Sequence, residues 1–228
     1  MDAWRVLTIL ALAALAGCRA GGAPESAGAM RFTWFSYLNA DDLRFQCAEG
    51  GPPLTRIVYN AVFTRQVRTY DLAGEPDGGA RVQENLYDGV QIVDVGSLSL
   101  LNRPSRIDWR FNPAVTAELE QALAAAGAFG PPPVGLILRS DDYYWLVAAC
   151  RDGTMSYHGY RGEALEGLPF VDVLARHDPL GEPLPEPKRL ALPPGQAAPL
   201  MTAEGRDNAD PYFHIKIGED GLVGLSAN

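Results

Sequence analysis

Residues 143–160 read YYWLVAACRDGTMSYHGY, which has the pattern of two strands joined by a tight turn. Two runs rich in aromatic and apolar residues, 143–150 and 154–160, flank the tripeptide Arg151-Asp152-Gly153. Asp-Gly between two such runs is a strong turn signal, because the commonest hairpin turns need positive φ at their central residues. The stretch therefore predicts an antiparallel β-hairpin.

Short segments on both sides of this hairpin also have the composition of strands. They are rich in aromatic and β-branched residues, and turn clusters such as 75–79 (EPDGG) separate them. Turns near Thr64-Arg65 and at Asp88-Gly89 indicate further hairpins. The strands predicted in this way are 31–38, 43–48, 56–63, 66–72, 81–87, 90–95, 106–111, 134–139, 143–150, 154–160 and 212–217.

One helix is well marked, over residues 113–126. Asn112 is a good N-cap, Pro113 suits the first turn, and Gly127 suits the position after the helix. Residues 163–176 form a second, shorter candidate, weakened by Gly167 and Pro169. The apolar stripe of the first helix consists of Val115, Leu119, Ala122, Leu123 and Ala126.

These elements predict an α+β fold, a mostly antiparallel sheet with the 113–126 helix packed on it. The alternative is a β-sandwich with a helical insertion. Both arrangements place Trp34, Phe35, Trp109 and Leu136 largely in the core.

The chain is acidic, with 28 Asp and Glu against 19 Lys and Arg and a formal net charge of −9. Nucleic acids and anionic lipid surfaces attract basic proteins, so the charge disfavours both as electrostatic partners.

The N-terminus has the pattern of an export signal. An apolar run at 6–16 is roughly eleven residues long, whereas a membrane-spanning helix needs about 20. The run ends in Leu15-Ala16-Gly17-Cys18, which resembles the lipobox of bacterial lipoproteins. The resemblance implies cleavage before Cys18, acyl chains on its sulfur and anchoring to a membrane of the cell envelope. Arg19 after the cysteine favours the outer over the inner membrane.

The rest of the chain divides by composition. Residues 1–17 are the expected signal peptide, and 18–30 hold the lipidated cysteine and a flexible Gly/Ala/Ser-rich spacer. A globular domain is expected at 31–178, followed by a proline-rich extended segment at 179–200. Residues 201–228 supply a final strand and tail, docked on the domain.

Two cysteines, Cys47 and Cys150, remain after Cys18 is assigned to the lipid. In an oxidising envelope two such cysteines are expected to form a disulfide. The alternative is a pair of buried thiols that act as small hydrophobes. Their spacing is not that of a CxxC redox motif or a zinc site.

The sequence carries no familiar catalytic or phosphate-binding motif, and it predicts no catalytic residue, metal or cofactor. His158, His177 and His214 are too dispersed to suggest a metal site. The pairs Asp41-Asp42 and Asp141-Asp142 would bind a divalent cation only if the two segments met in space.

The aromatic residues of the 143–160 hairpin are the most suggestive group. Exposed aromatic rings stack on sugars or on a partner's apolar side chains, while buried ones form cross-strand pairs that stabilise a sheet. The sequence leaves both interpretations open. The group consists of Tyr143, Tyr144, Trp145, Tyr157, His158 and Tyr160.

Three classes of function follow from these observations. The first is a non-enzymatic envelope lipoprotein that binds a protein partner or supports an assembly. The second is a periplasmic module that binds a glycan or another envelope component. The third is a hydrolase with an unfamiliar site.

Overall fold

A computed structural model describes residues 35–63, 65–88, 104–187 and 213–227. Contacts divide the chain between Trp34 and Phe35, and all described residues belong to the second unit. Its helices are α1 (Asp41–Ala48), α2 (Pro113–Ala125) and α3 (Pro169–His177), with a 3-10 helix at Gly162–Leu165. Its strands are β1 (Leu54–Ala61), β2 (Gln66–Gly74), β3 (Ala80–Asp88), β4 (Ser105–Phe111), β5 (Ile137–Arg139), β6 (Tyr143–Arg151), β7 (Thr154–Arg161), β8 (Phe213–Gly218) and β9 (Gly221–Ala227).

The strands form two antiparallel sheets, so the α+β prediction is confirmed. The main sheet has six strands in the order β4-β3-β2-β1-β6-β7, and a small sheet has the order β5-β8-β9. The hairpin predicted at 143–160 is β6–β7, with Arg151 opposite Thr154 across the Asp-Gly turn.

One face of the main sheet is covered by helices α2 and α3, and this helical face holds the core. The Asn112 side chain caps α2 by accepting a hydrogen bond from the Val115 amide at 3.0 Å. Trp145 stacks on Tyr59 with ring centroids 4.3 Å apart and meets the edge of Phe170 from α3. Burial of these large rings between the sheet and the helices stabilises the fold.

The opposite face of the main sheet is covered in part by α1 and the small sheet. Cys47 on α1 is bonded to Cys150 on β6, as predicted, with the two Cα atoms 5.6 Å apart. Gly159 of β7 faces the small sheet, and a Cβ added there would lie 2.5 Å from Ile217 Cδ1. Glycine therefore allows the two sheets to approach closely.

Two strand predictions are wrong, because residues 35–38 and α1 are helical where strands were expected at 31–38 and 43–48. Leu43 and Cys47 are buried and four residues apart, which is the spacing of one helix face. The strand predictions followed the aromatic composition around these two residues and gave too little weight to their helical spacing. Residues 31–34 lie outside the described residues.

Strand β9 lies where a tail was expected after the 212–217 strand, and the remaining elements match the predictions with shifted boundaries. The strand predicted at 134–139 is limited to Ile137–Arg139, and the helix predicted at 163–176 divides into the 3-10 helix and α3. Phe35, Trp109 and Leu136 are partly exposed rather than fully buried. The predicted strand 90–95 and Trp34 lie outside the described residues.

Candidate functional site

An open groove of about 770 Å³ lies on the face opposite α2 and α3. Helix α1 and Tyr37 form one side, and strands β1 to β4 contribute the floor and the far side. Its polar lining residues are Tyr37, Asp42, Gln46, Thr55, Arg56, Asp71, Arg81, Gln83, Arg106 and Asp108.

Arg56 is the buried centre of one wall of this groove. Its guanidinium donates to both carboxylate oxygens of Asp42 at 2.8 and 2.9 Å, and to Asp71 at 2.6 Å. It also donates to the Tyr37 carbonyl at 2.8 Å and lies 3.6 Å from the centre of the Tyr37 ring. A planar guanidinium can satisfy all these contacts at once, which a lysine could not.

This arrangement fixes the charges in the groove wall. Burial opposes ionisation of Asp42, but hydrogen bonds from Arg56 outweigh burial and lower the pKa of that carboxyl. Burial, assisted by the charge of Asp71, raises the pKa of Tyr37 well above its usual value. Tyr37 therefore stays neutral and donates its hydroxyl hydrogen to Asp71 at 2.9 Å.

The far side of the groove presents exposed charges of both signs. Asp71, Gln83 and Asp108 lie opposite one another across β2, β3 and β4, so they form one row across the floor. Arg106 pairs with Asp108 at 3.1 Å, and both side chains are mostly exposed. Such a surface offers hydrogen-bond donors and acceptors to a polar, extended ligand.

A second polar cluster is buried on the helical face and consists of Arg68, Glu84 and Asp178. Arg68 donates to the Asp178 carboxylate and, at 3.0 Å, to the Glu182 carbonyl. The Glu84 carboxylate lies 3.7 Å from Arg68 Nε, beyond hydrogen-bond distance. We call these three residues the buried ion cluster.

Glu84 is the unusual member of the buried ion cluster. Burial, the nearby charge of Asp178 and a hydrogen bond with that carboxyl raise the pKa of Glu84 to about 8, although Arg68 opposes the shift. An ionised Glu84 would place a second negative charge beside Asp178 in one dry site. A protonated Glu84 can donate to Asp178.

The predicted aromatic binding surface is not a surface. All but one of its side chains are buried, because β6 lies inside the sheet with helices on one face and α1 and the small sheet on the other. His158 alone is half-buried, and burial lowers its pKa. The interpretation of these rings as part of the core therefore fits their burial. The buried members are Tyr143, Tyr144, Trp145, Tyr157 and Tyr160.

Tyr144 and Tyr157 are buried on the face opposite α2 and α3, and removal of their hydroxyl groups should change the free energy of unfolding differently. Tyr157 donates to the Leu38 carbonyl at 2.6 Å, whereas the Tyr144 hydroxyl has no partner among the described residues. We expect Tyr157→Phe to lower the free energy of unfolding by about 1 kcal/mol and Tyr144→Phe to leave it unchanged or raise it. Urea denaturation of the two variants measures both, and a larger loss in Tyr144→Phe would contradict the assignment.

The other predicted residues are held in separate local contacts. Asp41 accepts from Ser36 at 2.7 Å, Asp141 pairs with Arg139 at 2.6 Å, and Asp142 accepts from the Tyr143 amide at 2.8 Å. Within the described ranges no group of three His, Cys, Asp or Glu side chains could hold a metal ion. Cys18 lies outside the described residues.

Sequence reasoning missed Arg56, Arg68 and Glu84. The available signal was a charged residue within a strand-like run, as in QVRTYDL for Arg68 and RVQENLY for Glu84. Charged residues are rarely buried unless they are paired, so such positions usually face water. The partners could not be identified from the sequence, because Asp178 lies 110 residues from Arg68.

In the part of the chain that the structure describes, no helix is both long and apolar enough to cross a membrane. No protein-family model matches the chain, and a search of curated proteins finds no match to it either.

Proposed function

We propose that this chain is an exported bacterial lipoprotein, anchored to the envelope through Cys18, whose folded domain is a non-enzymatic module that binds a protein partner. The outer membrane is the favoured site, because Arg19 follows the lipidated cysteine. The open groove of about 770 Å³ carries the binding part of the proposal.

The chemistry of the groove favours binding over catalysis. Asp42 and Asp71 both accept hydrogen bonds from Arg56, so their lone pairs are engaged in holding the wall together. A general base needs a carboxylate that is free to take a proton from a substrate. The exposed groups Arg81, Arg106 and Asp108 instead suit an extended polar segment of a partner, with charges of both signs.

The Cys47–Cys150 disulfide supports export. Disulfides persist in the periplasm and outside the cell, whereas the cytosol keeps thiols reduced. This bond joins α1, the wall of the groove, to β6 of the main sheet. An oxidising compartment therefore suits both the bond and the shape of the groove.

The anchor is tested by replacing its cysteine. We expect the parent protein to sediment with membranes and Cys18→Ser to appear in the soluble envelope fraction, because two or three acyl chains give stable anchoring and none gives almost no affinity. Fractionation followed by immunoblotting measures the distribution. Co-sedimentation of Cys18→Ser with membranes to the same extent as the parent would contradict the anchor.

The groove is tested by reversing one of its charges. Arg106→Glu places a carboxylate beside Asp108, and we expect it to lower the recovery of a crosslinked envelope partner at least fivefold. In-cell crosslinking, detergent extraction and affinity capture measure recovery.

The matched control is Arg176→Glu. Arg176 is as exposed as Arg106, with side-chain exposures of 56% and 55%, but it lies on α3, on the opposite side of the sheet. We expect Arg176→Glu to recover the partner as the parent does. Equal recovery with all three proteins, or recovery of no partner with the parent, would overturn the binding proposal.

A further inference from the structure

The chain leaves α3 and runs over the main sheet as an extended segment, residues 178–187, which we call the strap. Its sequence is DPLGEPLPEP, with proline at four of ten positions. Residues 181–187 have no regular secondary structure, so backbone bonds of a helix or sheet do not hold them. Other contacts must hold the strap on the helical face.

Side chains of the sheet hold the strap through its polar groups. Arg68 binds the Asp178 carboxylate and the Glu182 carbonyl, and the Tyr59 hydroxyl donates to the Pro185 carbonyl. Leu184 packs against the core. The Asp178 carboxylate also accepts from the Leu180 amide at 2.8 Å, so this one side chain binds both Arg68 of the sheet and a backbone amide of the strap.

The geometry of this joint favours a protonated Glu84. Both Glu84 oxygens are buried, and neither accepts a hydrogen bond from any donor in the described residues. An ionised Glu84 would thus be a second, unsatisfied negative charge beside Asp178, with one guanidinium for both. A protonated Glu84 removes that charge and supplies a donor to Asp178.

We propose that Glu84 is a proton-dependent latch, and that loss of its proton weakens the attachment of the strap to the main sheet through Asp178. The device is independent of the groove on the opposite face, so it goes beyond the proposed function. Access of a partner or ligand to the helical face would then depend on pH.

The groups that face Glu84 are few. Arg68 and Tyr70 approach from β2, and Asp178 approaches from the strap. From β4 the residue opposite Glu84 is the apolar Ile107. Burial raises the pKa of Tyr70, so Tyr70 stays neutral throughout the range considered, and Glu84 is the group whose charge changes.

The direction of the pH effect follows from the two states of Glu84. With the strap closed, the pKa of Glu84 is about 8. Release of the strap removes the Asp178 charge and part of the burial, so the pKa of Glu84 falls toward its ordinary value of 4.5. The closed form therefore holds a proton that the open form releases between these two values. Opening becomes easier by up to about tenfold per pH unit across this window and levels off above about pH 8.

Hydrogen exchange of the full chain tests the latch, with the Leu180 amide as reporter. After correction for intrinsic exchange rates, we expect its protection to fall at least tenfold from pH 5.5 to pH 7.5 in the parent. In Glu84→Gln, whose neutral amide mimics the protonated carboxyl, the fall should be less than threefold. Asp178→Asn removes the second carboxyl and should also reduce the pH dependence.

Glu118→Gln is the matched control, because Glu118 forms an exposed pair with Arg176 and should behave like the parent. Two results would overturn the latch. One is a parent without pH dependence, or pH dependence that persists in both Glu84→Gln and Asp178→Asn. The other is an equal loss of protection in amides of β1 and β6, which would show global unfolding rather than release of the strap.

Discussion

Arg68→Met is expected to lower the free energy of unfolding by about 3–5 kcal/mol, because breaking a buried ion pair leaves an uncompensated charge. Arg68 is fully buried, and the Asp178 side chain is only 4% exposed. Without the guanidinium, Asp178 must either remain charged in a dry site or take up a proton, and both cost free energy. Guanidinium chloride denaturation at pH 7 measures the loss.

The control for this experiment is Arg106→Met, which makes the same substitution at an arginine in an exposed ion pair. Its partner Asp108 is 64% exposed, so water replaces the lost contact. Exposed pairs contribute about 0–1 kcal/mol. A loss in Arg68→Met no larger than in Arg106→Met would show that the buried ion cluster does not stabilise the fold.

The main elements of the fold could be predicted from local sequence signals. The Asp152-Gly153 turn and the aromatic and apolar runs on both sides of it predicted the β6–β7 hairpin, and the cap at Asn112 predicted α2. These signals act over a few residues, so they do not depend on the tertiary structure. Helix α1 was missed because its helical face holds only Leu43 and Cys47, and its strand-like composition dominated.

The candidate sites could not be predicted in the same way, because long-range pairing creates them. Arg56 meets Asp42 and Asp71 only when α1 lies against β1 and β2. The aromatic composition of the hairpin suggested a binding surface, yet distant segments of the chain cover these side chains and bury them. A sequence gives the chemistry of a side chain, while the sheet order decides whether that side chain faces water or the core.

Removal of the Cys47–Cys150 disulfide is expected to have an effect as large as that of Arg68→Met. The bond joins residues 103 positions apart, and in the chain-entropy model a loop of this length corresponds to about 4–5 kcal/mol of stabilisation. The bond also fixes α1, which carries Asp42 and forms the wall of the groove. Unfolding of the double variant Cys47→Ala, Cys150→Ala in urea measures the loss.

Reduction of the parent protein supplies the matched control for that variant. If the covalent link is the cause, the reduced parent and the double variant should lose similar stability, and adding reductant to the double variant should change nothing. Loss of the constraint on α1 should also lower partner recovery in the crosslinking experiment, since Asp42 and Arg56 form one wall of the groove. A double variant within about 1 kcal/mol of the oxidised parent would mean that α1 is held by its other contacts, and the disulfide would then report the compartment rather than support the site.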